Sequence, residues 1–392
     1  MAASPRLTSV TRDDSTHWYR LAMDSGYEGT YPYVWLRDNC RCSECFSPAV
    51  TQRKVKMGDT NPDIKPSSES IVADGKVLRI TWPNQHLSEF DAAFLNRQRF
   101  SEMQKDAVSC PKRQSWGADL NGRIPTFDFQ KLLQDDLELY NWLDVLNTKG
   151  LAVVKGAPAK KGTMLQLAEK VAYMKKTSYG DTCHIFSTPT AERLMYSHQA
   201  LPLHVDQPYM DYAPGIEMLQ CIQRVNVHGG ESQFVDGMRL AEQLKEESPK
   251  AYYLLTTREV DFETRVTCYD WLKPFHMKKS RPTIQLDKHG EFQAINYDTS
   301  FRSPSMSQVP VGEVADIYGA LKLLFDIMYR PENVVHYLLA EGEMATFDNR
   351  RLLHARTAFT ISGEGGRLME CGYLDWDEAR SRMRILQESL GL

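Results

Sequence analysis

The chain has 392 residues, 42% hydrophobic and 25% charged, which is the balance of an ordinary soluble globular protein and a length that predicts two domains. Lysine plus arginine (47) against aspartate plus glutamate (51) leaves a net charge of −4. No basic stripe or arginine-rich helix is present, which argues against a nucleic-acid partner, and no apolar run approaches the roughly 18 residues of a membrane span.

In chain order, the opening "MAASPRLTSVTRDD" lacks an apolar signal core and soon turns acidic, which favours a cytoplasmic over a mitochondrial location. Through residues 1–99, alternating runs such as "YPYVWLRDN" and "VLRITWP" predict short strands between polar turns, a first, smaller β domain. The irregular "CPKRQSWGADLNGRIPT" within 100–126 reads as a linker. A second domain then covers 127–392. It opens on "FDFQKLLQDDLELYNWLDVLNTKG", whose apolar spacing and glycine stop predict one helix. "LAVVKG" follows as a buried strand and "TMLQLAEKVAYM" as another helix.

From Ile216 onward short strands dominate: "IEMLQCIQRV", "ESQFVDG", "TIQLD", "FQAINYD", "MATFDN", "TAFTI" and "RLMECGYLD". Helices are predicted over "MRLAEQLKEESPKAYYLLTT", "VGEVADIYGALKLLFDIMY" and the closing "DEARSRMRILQESL". The pattern predicts a mainly β fold with α elements, a sandwich or jelly roll decorated by helices.

Two clusters carry chemistry. In "LHVDQPYMDYAPG", His204 and Asp206 stand two apart, and a strand points such residues to one face. One imidazole and one carboxylate make two thirds of a facial iron site. His354 in "MATFDNRRLLHARTAF" is the preferred third ligand, while His336 in "NVVHYLLA" reads as a packed core residue. Arg367, 13 residues after His354, opens a further strand, and its guanidinium suits a carboxylate through a bidentate fork. The second cluster is Cys40, Cys42 and Cys45, three soft ligands in one short stretch, with His86 in "PNQHLSEF" as the fourth of a closed zinc site that stabilises the fold. The other cysteines are scattered and read as small buried residues.

The blocks "YPYVWLRDNCRCSEC", "ITWPNQHLSEF", "LHVD", "GGESQFVDG", "TFDNRRLLHAR" and "YLDWDEARSRMRIL" resemble, in order and over most of the chain, the gamma-butyrobetaine dioxygenase and trimethyllysine dioxygenase family. The resemblance implies a double-stranded β-helix (jelly-roll) catalytic core, Fe(II), 2-oxoglutarate and O2, with ascorbate as reductant and a homodimeric assembly. It implies His204, Asp206 and His354 as iron ligands and Arg367 as the anchor for the distal carboxylate of 2-oxoglutarate. Cys40, Cys42, Cys45 and His86 match the zinc ligands.

For a small-molecule betaine or amino-acid substrate it implies a trimethylammonium cage at Tyr179, Tyr196 and Tyr373. The chain departs from that pattern at four positions. Cys183 stands where the family has a tryptophan, Arg193 and Asp298 where it has asparagines, and Gln207 where it has a tyrosine, while Tyr209 resembles the trimethyllysine branch. Hydroxylation of gamma-butyrobetaine to carnitine is the first expectation and trimethyllysine or another betaine the second. A catalytically silent metal-binding scaffold is the non-enzyme alternative. A zinc hydrolase is weaker, because no "HExxH" glutamate accompanies the ligands.

Overall fold

The computed structural model describes residues 4–100, 106–187, 194–267 and 273–392. The chain forms two compact units, Met1–Asp106 and Ala107–Leu392.

The first unit holds two antiparallel three-stranded sheets. One is β1 (Leu7–Asp13), β2 (Trp18–Met23) and β3 (Glu28–Pro32), followed by helix α1 (Tyr33–Asp38). The other is β4 (Ser68–Val72), β5 (Val77–Thr81) and β6 (Leu87–Asp91), followed by α2 (Ala92–Arg97). Alternation along β2 and β5 buries Tyr19, Leu21, Leu78 and Ile80 in one core with Tyr31, Trp82 and Phe90. The chain turns between β5 and β6 at His86, whose carbonyl accepts the Trp82 N–H at 2.9 Å.

In the second unit, β7 (Thr126–Asp128), α3 (Asp136–Thr148), β8 (Leu151–Lys155), α4 (Thr163–Val171), β9 (Thr182–Phe186) and β10 (Leu201–His204) come first. The long β11 (Ile216–Gly229) and β12 (Ser232–Asp236) lead to α5 (Gly237–Glu247), α6 (Pro249–Thr257) and α7 (Val314–Met328). The chain closes with β13 (Val335–Tyr337), β14 (Met344–Asp348), β15 (Leu352–Arg356), β16 (Phe359–Leu374) and α8 (Trp376–Leu390). Strands order as β9-β16-β11-β14-β8-β7 in a six-stranded sheet and as β10-β15-β12-β13 in a four-stranded one.

Side-chain alternation turns the two sheets face to face. On β14, Ala345 and Phe347 join Phe234, Leu352 and Met369 in the core between the sheets, where the Phe234 and Phe347 rings meet at 5.2 Å. Met344 points the other way, into a core with Trp142, Leu146, Met164 and Met383 under α3, α4 and α8. Leu203, Val235, Leu353 and Ala355 meet α5, α6 and α7 on the outer side of the smaller sheet. Gly372 leaves room for the Met174 side chain on the helix side of the sheet. A Cβ there would sit 2.0 Å from Met174 Cε, so the position facing the helices is empty while Cys371 and Tyr373 face the other sheet.

Four expectations change. Residues from Ala107 onward belong to the second unit, and Trp116, Leu120 and Ile124 are buried in its core, so this part of 100–126 is packed structure. The helix expected over 127–150 breaks at Asp135, whose extended backbone and carboxylate cap α3 through the Leu137 and Glu138 N–H groups. Ser248 and Pro249 likewise split the helix predicted over "MRLAEQLKEESPKAYYLLTT" into α5 and α6. His336 lies on the edge strand β13 and is exposed, 3.6 Å from Glu231.

Candidate active site

Register places the two histidines. Strands β10 and β15 pair antiparallel with His204 opposite His354, so both rings leave the same face, with centroids 4.2 Å apart. The His354 ring also packs on Phe347 of the other sheet, at 4.9 Å. The strand ends at His204, and Asp206 reaches the same point through a turn rather than by strand alternation. Val205 N–H bonds to the Tyr297 carbonyl, and Gln207 adopts a left-handed φ of 56°. Asn349 clamps the Asp206 peptide: its Oδ1 accepts the Asp206 N–H at 2.7 Å, and its Nδ2 donates to the Asp206 carbonyl at 3.1 Å.

The donor atoms of His204, Asp206 and His354 all lie within 4.8 Å of one another, and His204 Nε2 stands 3.3 Å from Asp206 Oδ1. Metal bonds of about 2.1 Å at right angles separate neighbouring donors by about 3 Å, so the set fits one face of an octahedral ion. His204 Nδ1 lies 2.8 Å from the Pro202 carbonyl, which can only accept, so this nitrogen carries a hydrogen and Nε2 is the nitrogen turned toward Asp206. Tyr373 donates its hydroxyl to Asp206 Oδ2 and fixes the carboxylate.

Charge follows from burial. Although burial opposes it, the bond to Asp206 raises His204 to about 9, whereas burial and the neighbouring His204 push His354 down to about 3. Glu217 on β11 is 2% exposed, with Oε2 lacking a hydrogen-bond partner 3.6 Å from His354 Nε2 and Oε1 accepting from the Cys371 thiol at 3.5 Å. Burial and then the neighbouring Asp206 raise its carboxyl well above the ordinary range.

These groups line a cavity of about 360 Å³ between the sheets, which also receives Arg367. Arg367 is 9% exposed and forms no ion pair with a carboxylate among the described residues, its guanidinium lying 5.5 Å over the Phe359 ring. Burial and then the nearby Arg356 lower it to about 10, so it remains charged. A buried guanidinium without a carboxylate partner among the described residues, lining the same cavity as His204, Asp206 and His354, has the chemistry to take up a carboxylate.

Of the residues expected at the substrate, Tyr179, Cys183, Gln207, Asp298 and Tyr373 line the cavity, as does Tyr209. Tyr196 is not among the lining residues; its ring packs on Phe186 at 5.6 Å, and neighbouring Met195 lines the cavity instead. Arg193 lies outside the described residues. Cys183 pairs across the ladder with Cys371. Sequence reading missed Asn349, whose partner is far along the chain, and Glu217. The signal for Glu217 was a charge in "IEMLQC" on the face shared with Leu219 and Cys221.

In the first unit, Cys40, Cys42, Cys45 and His86 converge. His86 Nε2 lies 3.3, 3.7 and 3.5 Å from the three sulfurs, and the Cys45 and Phe46 N–H groups close the loop on the Cys42 carbonyl. A tetrahedral zinc with its usual bond lengths spreads sulfur and nitrogen roughly 3.6 Å apart, which these spacings match.

Sandwich, donor set and buried arginine define an iron- and 2-oxoglutarate-dependent dioxygenase, and the chain belongs to the taurine catabolism dioxygenase TauD, TfdA family, whose model matches residues 109–373. Residues 11–96 match the gamma-butyrobetaine hydroxylase-like N-terminal family. The chain is 34% identical to gamma-butyrobetaine dioxygenase of Homo sapiens over 381 residues, 96% of each chain. It is 30% identical to gamma-butyrobetaine dioxygenase of Pseudomonas sp. (strain AK-1), over 90% of each chain. It is also 28% identical to mitochondrial trimethyllysine dioxygenase of Mus musculus, over 97% of this chain and 89% of that one. No helix among the described residues is long and apolar enough to cross a membrane.

Proposed function

We propose that the protein hydroxylates a quaternary-ammonium carboxylic acid, with gamma-butyrobetaine, which would yield carnitine, as the first substrate and trimethyllysine or another betaine as the second. The observation that carries this reading is the meeting, in one cavity, of three metal donors and a buried arginine without a carboxylate partner among the described residues.

In this reading His204, Asp206 and His354 hold Fe(II). Bound with 2-oxoglutarate and O2, that centre supplies the oxidising power to hydroxylate an unactivated C–H bond, with succinate and CO2 released. The chain does the rest. Pro202 and Tyr373 orient the donors, Asn349 holds the Asp206 backbone, Arg367 grips the far carboxylate of 2-oxoglutarate, and the sheets exclude water. Tyr179 and Tyr373 offer ring faces to a trimethylammonium group, with Cys183 leaving one wall open. The two facing sheets are read as the double-stranded β-helix of the resemblance. Zinc on Cys40, Cys42, Cys45 and His86 ties the first unit together. Ascorbate as reductant, a homodimer and a cytoplasmic location rest on the resemblance and on the sequence, and belong to the same proposal.

The test is succinate release by purified protein with Fe(II), 2-oxoglutarate and ascorbate, with and without gamma-butyrobetaine, trimethyllysine and longer betaines. At least one should raise succinate severalfold above the substrate-free rate and give a product heavier by one oxygen. Stimulation by none of them would reject the substrate class.

A further inference from the structure

Two cysteines meet in the cavity wall. Strands β9 and β16 pair antiparallel with Cys183 directly opposite Cys371. Residues opposite each other in such a ladder leave the same face, with Cβ atoms about 4.5–5.5 Å apart. Both cysteines line the cavity, as do Ile185 and Met369, the next pair along that face. His184 and Glu370, between those pairs, meet on the other face at 3.1 Å.

A disulfide needs Cα atoms about 4.4–6.8 Å apart and Cβ atoms about 3.5–4.5 Å apart. Opposed strand residues already satisfy the first condition, and an approach of about 1 Å satisfies the second. Strand β9 can make that approach, because it is the edge of the six-stranded sheet and pairs with β16 alone among the described strands.

The pair also stands beside a metal donor. Ligand atoms of Cys371, Asp206 and Glu217 lie within 4.8 Å of one another, and the Cys371 thiol donates to Glu217 Oε1 at 3.5 Å. Cys371 is 4% exposed and Cys183 is half-buried, so a small oxidant in the cavity meets Cys183 first.

We propose that Cys183 and Cys371 form a redox-modification site, at which a peroxide closes a disulfide that slows the dioxygenase and a thiol reductant reopens it. With hydrogen peroxide the Cys183 sulfur breaks the O–O bond, becomes a sulfenic acid and releases one water. The Cys371 sulfur then displaces the sulfenic oxygen as a second water. The two thiols give up two hydrogens and two electrons, and the peroxide takes them up. Closing the bond takes from Glu217 the hydrogen that Cys371 donates. Glu217 Oε2 already lacks a partner and lies 3.6 Å from His354 Nε2, so the disturbance reaches a metal donor.

Mass spectrometry of the digested full-length protein, treated with hydrogen peroxide in the absence of iron, tests the bond without any substrate. A peptide linking Cys183 to Cys371, lighter by two hydrogens and separated by dithiothreitol, should account for more than about half of the chains. Cys183 oxidised alone, joined to a different cysteine or left untouched would overturn the site. The second readout is succinate release from 2-oxoglutarate after peroxide is removed and Fe(II) restored, with the most active betaine or with none. The linked protein should run at least about threefold slower than the reduced protein and recover with dithiothreitol. In Cys183→Ala, or in the strand-favouring Cys183→Val should the first not fold, the ratio of oxidised to reduced rates should be close to one. Equal rates from linked and reduced wild-type protein overturn the switch. An equal loss in the variants also does so, since it places the effect at other cysteines.

Discussion

Arg367→Met isolates the anchor for the co-substrate. Burial, and then the nearby Arg356, hold the guanidinium at about 10 rather than its ordinary 12.5. At 1.36 kcal/mol per pH unit this is about 3 kcal/mol of cost carried by the charged form. Methionine fills much of the same volume without that cost, and Arg367 has no carboxylate partner among the described residues to strand. The free protein should therefore keep its Tm or gain slightly. Binding of 2-oxoglutarate should suffer the loss of a desolvated bidentate pair, about 2–4 kcal/mol, or roughly 30- to 1,000-fold in Kd. Titration of 2-oxoglutarate into metal-loaded, O2-free protein measures the second quantity and a thermal melt the first. An unchanged Kd would refute the assignment, and a large fall in Tm with it would make Arg367 a structural residue.

Three further outcomes follow from the geometry. With His204 raised to about 9, metal and proton compete below that pH, so Mn(II) affinity should fall as pH drops from about 9 to 7, with close to one proton released per ion bound; calorimetry in buffers of different ionisation heat reads this, and no proton release would contradict it. Elemental analysis should find about one zinc per chain in native protein and much less in Cys42→Ser, whose melting temperature should also fall; native protein without zinc would defeat that site. Arg351→Met strands the Asp236 carboxylate, which Arg351 meets at 2.8 Å with both side chains almost fully buried, so unfolding should become about 3–5 kcal/mol easier by denaturant titration; a loss under about 1 kcal/mol would show Asp236 to be satisfied by its backbone donors.

The residues most legible in the sequence were those whose type is rare for their setting. A histidine and an arginine in otherwise apolar strands, His354 and Arg367, stood out because a core seldom buries them without a task. The cysteine cluster was legible because Cys40, Cys42 and Cys45 come from one short stretch. Asp206 was expected on the right ground of proximity and the wrong one of strand alternation, since β10 stops at His204 and the clamp from Asn349 comes from a distant turn. Helix breaks at Asp135 and Ser248 escaped because the apolar period runs through them while the capping side chains do not interrupt it. Tyr196 and Tyr179 were indistinguishable in the sequence. Which one lines the cavity depends on packing against Phe186 and Phe275, contacts that no local pattern encodes.

The most direct measurement is the fate of dioxygen. With the protein, Fe(II), 2-oxoglutarate and the best quaternary-ammonium acid under dioxygen labelled with the heavy oxygen isotope, mass spectrometry of the products follows both atoms. The account predicts one labelled atom in succinate and one in the hydroxylated acid, with both products lost in His354→Ala. Succinate formation without label in the organic product, or labelled product that persists in His354→Ala, would contradict it.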